Sequence, residues 1–285
     1  MRGVALDEDR RPTLAELPEP DGDGELVHVR ACGLCGSDVE KIGRAEAGTV
    51  LGHEVAGETE DGRRVALVHH AGCGHCARCR AGRESTCEQF REPTIVPGGF
   101  AERVRARGVV ELPDALDDVA GTFAEPLACV LRGAERVPAG RVVVVGCGFI
   151  GFLFVQALRL RGNDVFGVDP RPERLTLAGV AQPDGPVDAA VLCAPGGAFE
   201  AAGALEPGGT LLVFASAGPL ELDAVYRKEL YVIGSRSATP RHLRKAVALL
   251  PEVDLPPVEA FPLDRFADGL ERYQAGDALK IVFTT

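Results

Sequence analysis

Cys73, Cys76, Cys79 and Cys87 carry the most specific chemical spacing in the chain. Thiolates set two residues apart, on a backbone loosened by Gly72, Gly74 and Gly82, can converge on one tetrahedral ion at about 2.3 Å, the geometry of structural zinc. A pair of disulfides is the competing use of such thiols, and a reducing compartment disfavours it. Protein would fill all four positions of that ion, so it would brace a loop-rich lobe and stay closed to substrate. A second set is more dispersed: Cys35 within Gly33–Asp38, His53 in Gly52-His53-Glu54, and Glu125 before Pro126. A thiol, an imidazole and a carboxylate, with Glu54 beside them, form a ligand set for a zinc with one open position. Each member also has a plainer use. Cys32 and Cys35 could be a redox pair, though no thioredoxin-like βαβ context surrounds them. His53 could be an ordinary histidine, and Glu125 a carboxylate at a helix start.

Composition narrows what these residues could serve. A chain of 285 residues with 46% hydrophobic and 26% charged residues is long enough for two soluble domains with their own cores. The net charge of −11 leaves no excess of Lys and Arg to neutralise phosphates, so no nucleic-acid partner is expected. Zero Trp and three Tyr make a base-stacking function equally poor. No apolar run reaches the length of a membrane span, and Met1–Asp9 turns acidic before a signal-peptide core could form. A cytoplasmic location is therefore expected, where nine cysteines are better used as metal ligands and free thiols than as disulfides.

The elements that must position these groups fall into two halves. Over residues 1–128, short apolar or alternating runs such as 26–31, 65–68 and 101–105 are separated by Gly/Pro/Asp turns, which reads as an antiparallel β domain. Beyond it, Val142–Val145 is a continuous apolar run, as suits a strand buried on both faces. That run feeds Gly146-Cys147-Gly148-Phe149-Ile150-Gly151 and an apolar helical stretch, and a second strand, Val165–Val168, ends in Asp169. Strand, glycine turn, helix, strand and acid come in the order that seats a pyrophosphate on a helix N-terminus and binds a ribose diol. Gly146, Gly148, Phe149, Ile150 and Gly151 would line the phosphates. Asp169 would repel a 2′-phosphate, which favours NAD over NADP, although Arg171 and Arg174 stand close by. Asp169 could also cap the helix that follows Pro170. Strands at 189–193, 210–214 and 230–233 follow, with a small-residue helix over 198–205 closed by Pro207–Gly209. The segment 179–188 is too short for another strand and helix, so the parallel, doubly wound sheet is expected to lack its third strand. This nucleotide-binding domain is assigned to 129–263, and the helix and strand of 264–285 are expected to return to the first domain.

With these motifs in place, the chain resembles the zinc-dependent medium-chain alcohol and polyol dehydrogenases, as a compact member of sorbitol type. The resemblance is carried by Ala31–Asp38, Gly52-His53-Glu54, the Cys73/76/79/87 lobe, Glu125-Pro126-Leu127, Gly146–Gly151 and Gly234-Ser235-Arg236, in family order. It implies an α/β architecture of a GroES-like β catalytic domain joined to a Rossmann domain, with two zinc ions per chain. It implies that Cys35 and His53 bind the catalytic zinc, that Glu125 stands at the third-ligand position, and that Glu54 is an adjacent or exchanging ligand. Asp38 would orient His53. Ser37 would take the proton of a secondary alcohol (a polyol, sugar or cyclitol) whose hydride passes to NAD. Arg236 would bind a second substrate hydroxyl or make a surface ion pair. Glu40 stands where many members place a relay histidine, leaving Glu40, His28, water or no dedicated group for proton exit. The resemblance further implies a homodimer or homotetramer, with the apolar strand 230–233 available for pairing. Two other uses of the scaffold stay open at this point: reduction of an activated C=C or C=N bond, and sensing of NAD(H) without turnover.

Overall fold

The computed structural model of the protein describes residues 1–216 and 218–285. The first half consists of short strands: β1 (Arg2–Leu6), β2 (Pro12–Glu16), β3 (Glu25–Gly33), β4 (Glu54–Thr59), β5 (Arg64–Leu67), β6 (Ile95–Val96), β7 (Arg103–Ala106) and β8 (Val109–Glu111). Single helical turns, α1 (Gly36–Val39), α2 (Ala77–Arg80) and α3 (Asp118–Gly121), lie among them, before the longer α4 (Ala124–Ala134). The strand β3 shows why the pattern folds this way. Val27, Val29 and Ala31 are buried, while the residues between them are half-buried (His28) or exposed (Arg30), the period of two that a half-buried strand requires.

The second half alternates strand and helix as expected: β9 (Arg141–Val145), α5 (Phe149–Leu160), β10 (Asp164–Val168), α6 (Pro172–Ala178), β11 (Val187–Leu192), α7 (Ala198–Ala204), β12 (Leu205–Val213), α8 (Leu222–Lys228) and β13 (Tyr231–Gly234). Its strands form a five-stranded parallel sheet in the order β10-β9-β11-β12-β13. Among the described residues no strand takes the place of the third strand of the full fold, as the short segment after α6 dictates. In its place the chain makes a backbone bond to the sheet edge, from Gly167 N to the carbonyl of Ala181 at 2.9 Å. One local expectation is corrected. Pro207–Gly209 do not close α7; they lie inside β12, whose first residue Leu205 already pairs with Val187 before a shift in register.

The chain ends in α9 (Pro240–Leu249), β14 (Val258–Pro262), α10 (Phe266–Gln274) and β15 (Lys280–Thr284). Two compact units result, one of Met1–Ala128, Ala238–Glu252 and Pro257–Thr285, the other of Cys129–Ser237 and Val253–Pro256. Residues 238–252 and 257–263, expected with the nucleotide half, thus belong with the β unit. In the first stretch α9 packs on β8, and in the second strand pairing is the reason: β14 runs parallel to β15, and β15 lies antiparallel to β3 through Val282↔Gly33. The sheet of this unit, in the order β14-β15-β3-β4-β5-β8, is therefore not antiparallel throughout. Packing secures the return of the tail. Phe266 stacks on Phe283 at 4.3 Å and meets Phe100 edge-on at 4.9 Å. Each ring is at least 96% buried, which stabilises the fold by about 2 kcal/mol per side chain. Among the described residues, no helix is long and apolar enough to cross a membrane.

Candidate active site

At the end of β3 the chain leaves the sheet through Gly33 and Leu34 and starts α1, so that Cys35 stands at the helix N-cap. Asp38, fully buried in α1, holds this corner together: one carboxylate oxygen accepts from Cys35 N at 3.2 Å, the other from Gly52 N at 3.3 Å. That second oxygen also lies 3.2 Å from His53 Nδ1. Gly52 has φ +94, and a Cβ there would sit 2.8 Å from Phe100 N, so only glycine makes the left-handed turn that delivers His53. His53 is 5% exposed and Glu54, the first residue of β4, 1% exposed.

Ligand atoms of Cys35, His53 and Glu54 lie within 4.8 Å of one another. Burial alone would lower the imidazole pKa, but the charge and hydrogen bond of Asp38, with Cys35 behind them, hold His53 well above its ordinary value. Burial likewise pulls Asp38 upward and is outweighed by His53, leaving its carboxyl low. Donors of these three types, gathered where water is scarce, fit a zinc ion better than an unpaired cluster, since one bound cation would neutralise the thiolate and carboxylate together. Asp38 then fixes which ring nitrogen of His53 is free. Asp38→Asn is expected to weaken the metal at this site about 10- to 100-fold, read by chelator competition, with the four-cysteine lobe unaffected.

Around this cluster the expected residues fall into three groups. Ser37 is exposed and donates from Oγ to Cys35 Sγ at 3.3 Å, which places its hydroxyl at the ligand thiol. Glu40, also exposed, closes α1. Glu125 stands outside the ligand cluster, on α4, lining a small cavity with Val68, His69, His70, Ala238, Thr239 and Leu243. His69 joins the two places, because its ring stacks on His53 at 4.2 Å between centroids. His28 is not nearby: it sits five residues before Gly33 on β3, roughly 16 Å by strand rise, and pairs with Glu58 and Arg103.

Four residues that sequence reasoning missed also shape the site. His69 and His70 follow β5; burial, then the charges of His53 and His70, drive the His69 pKa far down, so it stays neutral. Tyr273 comes from α10. A Cβ on Gly36 would lie 3.3 Å from its hydroxyl, and burial, with the charges of Cys35 and Glu54, pushes the phenol up to about 12. Lys280, the first residue of β15, is 1% exposed and pairs with Glu54. A lysine inside the apolar run 279–283 was a legible signal; nothing in the sequence marked Tyr273.

The cysteine lobe meets its expectation geometrically. Cys76 Sγ lies 3.8 Å from Cys87 Sγ, and Cys73 Sγ 4.0 Å from Cys79 Sγ, close to the edge of about 3.8 Å of a tetrahedron with 2.3 Å zinc–sulfur bonds. Among the described residues no disulfide joins any cysteine. Backbone N–H groups of Cys73, Cys76 and Cys79 point at Cys87, Cys73 and Cys76 sulfurs, at 3.3–3.5 Å, and so favour thiolates. The Cys79 N–H bond leads in bringing Cys76 down to about 6. Here too the donors fit zinc.

In the second unit, Gly146 adopts φ +91 where a Cβ would strike Ala194 at 2.5 Å, and a Cβ on Gly151 would lie 2.0 Å from the carbonyl of Gly146. Gly148 caps α5, so Phe149 and Ile150 open the helix. Asp169, at the end of β10, accepts from Cys147 N at 2.8 Å and from Arg171 N at 2.9 Å. Arg174 Nη1 lies 3.7 Å from the same carboxylate. The acid is thus wired to the glycine turn and to the following helix at once. Arg236 is exposed, and its carbonyl accepts from Arg132 at 2.7 Å.

The chain is similar to known proteins along its length. Residues 22–114 match the alcohol dehydrogenase GroES-like domain. L-galactonate-5-dehydrogenase of Escherichia coli (strain K12) is 27% identical, over 90% of this chain and 90% of that protein. Sorbitol dehydrogenase of Bacillus subtilis (strain 168) is 30% identical over 62% of this chain and 58% of its own length. Among solved structures, a proposed zinc-binding dehydrogenase of Sinorhizobium meliloti 1021, bound to NADP, superposes with a TM-score of 0.85 at 28% identity, covering 100% of this chain and 99% of that one.

Proposed function

We propose, from the premise that this chain belongs to the zinc-dependent medium-chain alcohol and polyol dehydrogenases, that it oxidises a secondary alcohol of a polyol or sugar acid at the Cys35–His53–Glu54 cluster, with NAD as acceptor. The observation that carries this reading is the convergence of those three ligand types in one buried corner, apart from the four-thiol lobe. The polyol and sugar-acid dehydrogenases among its relatives favour alcohol oxidation over reduction of a C=C or C=N bond and over a sensor without turnover. When bound, zinc supplies Lewis acidity that makes an alcohol proton easier to lose, and the nicotinamide supplies the hydride acceptor.

The chain's own groups do the rest. Cys35 and His53 would hold the metal, with Glu54 beside them, and Glu125, lining the cavity with His69, would offer a carboxylate as third ligand. Asp38 keeps His53 in the ligating tautomer. Ser37, hydrogen-bonded to Cys35 Sγ, takes the substrate hydroxyl proton as it gives up its own, and exposed Glu40 carries that proton to water. Gly146–Gly151 seat the pyrophosphate at the start of α5, and Asp169 takes the ribose diol.

We assign 1–128 with 264–285 to catalysis and 129–263 to cofactor binding, with 238–252 and 257–263 moved to the catalytic side as the compact units divide. Free thiols support a cytoplasmic, reducing location. A homodimer or homotetramer would use β13, an edge strand with Tyr231 66% and Val232 43% exposed.

Absorbance at 340 nm tests the reading directly, on a panel of polyols, cyclitols and sugar acids with NAD and with NADP. Expected is turnover of at least one secondary alcohol, with NAD used about tenfold better, and with that preference lost in Asp169→Ala. Turnover of no alcohol with either cofactor would sink the reading, and a preference for NADP would overturn the role of Asp169.

A further inference from the structure

The carboxylate of Glu54 has two claimants. One is the metal that Cys35 and His53 would hold, within ligand reach of it. The other is Lys280, which reaches in from β15 at the far end of the chain, donates from Nζ to the Leu34 carbonyl at 3.0 Å and pairs with Glu54 Oε2. Both partners of the pair are 1% exposed. Space has been left for it: a Cβ on Gly33 would lie 2.1 Å from Glu54 Oε2 and 3.0 Å and 3.1 Å from Lys280 Cε and Nζ. An alanine at position 33 would collide with the pair, so three separated segments of sequence are shaped around one contact. Desolvating both charges offsets much of what such a pair returns in stability, which points to a use other than holding the fold.

We propose that Lys280 is a positioning residue that competes with the metal for Glu54, keeping this carboxylate within reach of the ion without letting it become a permanent ligand. This rests on the reading of Cys35, His53 and Glu54 as the catalytic metal centre. By retaining one carboxylate oxygen, Lys280 keeps a coordination position free for the substrate oxygen. Without the ammonium group, the buried carboxylate has the metal as its remaining cationic partner, binds it continuously and closes the site.

The test compares the metal-loaded wild type with Lys280→Met, which keeps length and loses charge, and Lys280→Arg. Readouts are the rate at which a chelator extracts the catalytic ion, the visible spectrum of the site loaded with Co(II), and kcat. In Lys280→Met the ion is expected to leave about tenfold more slowly, the cobalt spectrum to shift with the changed ligand set, and kcat to fall about tenfold or more. Lys280→Arg should return all three to within about threefold of the wild type. Faster loss of the ion from Lys280→Met, or an unchanged cobalt spectrum, overturns the inference. Should that variant not fold, Lys280→Met/Glu54→Gln leaves no lone buried charge. Its spectrum and extraction rate should match those of Glu54→Gln alone, and a difference would show that Lys280 acts by another route, against the proposal. A wild-type chain with zinc in the cysteine lobe only would bring down the metal-centre reading and this inference together. Two ions with an indifferent Lys280→Met would bring down this inference alone.

Discussion

Cys35→Ser is expected to lower turnover by about 10³-fold or more while moving the thermal transition by no more than a few degrees. The magnitude follows from what the residue would hold. A Lewis-acidic metal contributes several kcal/mol of transition-state stabilisation, and each 1.36 kcal/mol is about a factor of ten in rate. The small thermal effect follows from the surroundings. The corner is held by Asp38, whose carboxylate bonds to the backbone N–H groups of Cys35 and Gly52 and survives the exchange of sulfur for oxygen. Steady-state kinetics beside a thermal melt separate the two effects. An equal loss from Ser37→Ala with metal retained would locate the defect in proton transfer, since Ser37 touches Cys35 Sγ without belonging to the ligand cluster.

Cys76→Ser should give the opposite balance: a fall in apparent Tm on the order of 10 °C, with the activity of the surviving folded fraction much less affected. The lobe has little else to stand on. Its one α-helical turn, α2, is four residues long, far below what persists unaided, and single 3₁₀ turns at Glu84–Thr86 and Glu88–Arg91 complete it. Phe90, 4% exposed and stacked on His70 at 4.9 Å, is its apolar anchor. Limited trypsin treatment should therefore cut the variant at Arg78, Arg80 or Arg83 while the remainder resists. Uncut protein with an unchanged transition would mean that the sulfurs pack without metal.

Where function depends on local spacing, the site was legible from the sequence. Four thiols within fifteen residues can only reach one another through the loop that joins them, so Cys73, Cys76, Cys79 and Cys87 announced their cluster. Gly146–Gly151 with Asp169 was equally local, and the trimmed sheet followed from the length of 179–188. Resemblance added Cys35 and His53, which their own spacing left open. What stayed hidden are contacts closed by the last elements of the chain. Tyr273 and Lys280 reach the corner because β15 pairs with β3 and α10 packs on β15, with a sequence separation of 246 between Lys280 and Leu34. Residues 257–263 group with the β unit for the same reason: β14 has a half-exposed pattern and gains its meaning only from pairing with β15. His69 and His70 were passed over because adjacent histidines after a strand have no ligand spacing of their own; it is the stacking of His69 on His53 that gives them a place. Glu125 was grouped with the ligands by type, and the structure puts it at the cavity next to them.

Counting zinc tests the central claim most directly, by elemental analysis of the wild type beside Cys35→Ser and Cys76→Ser after identical dialysis. Two separate centres predict about two ions per chain in the wild type and about one in each variant, the survivor sitting in the lobe in the first and at the Cys35 corner in the second. A single ion in the wild type that persists in Cys35→Ser and vanishes in Cys76→Ser would contradict a metal-dependent alcohol dehydrogenase at Cys35, His53 and Glu54.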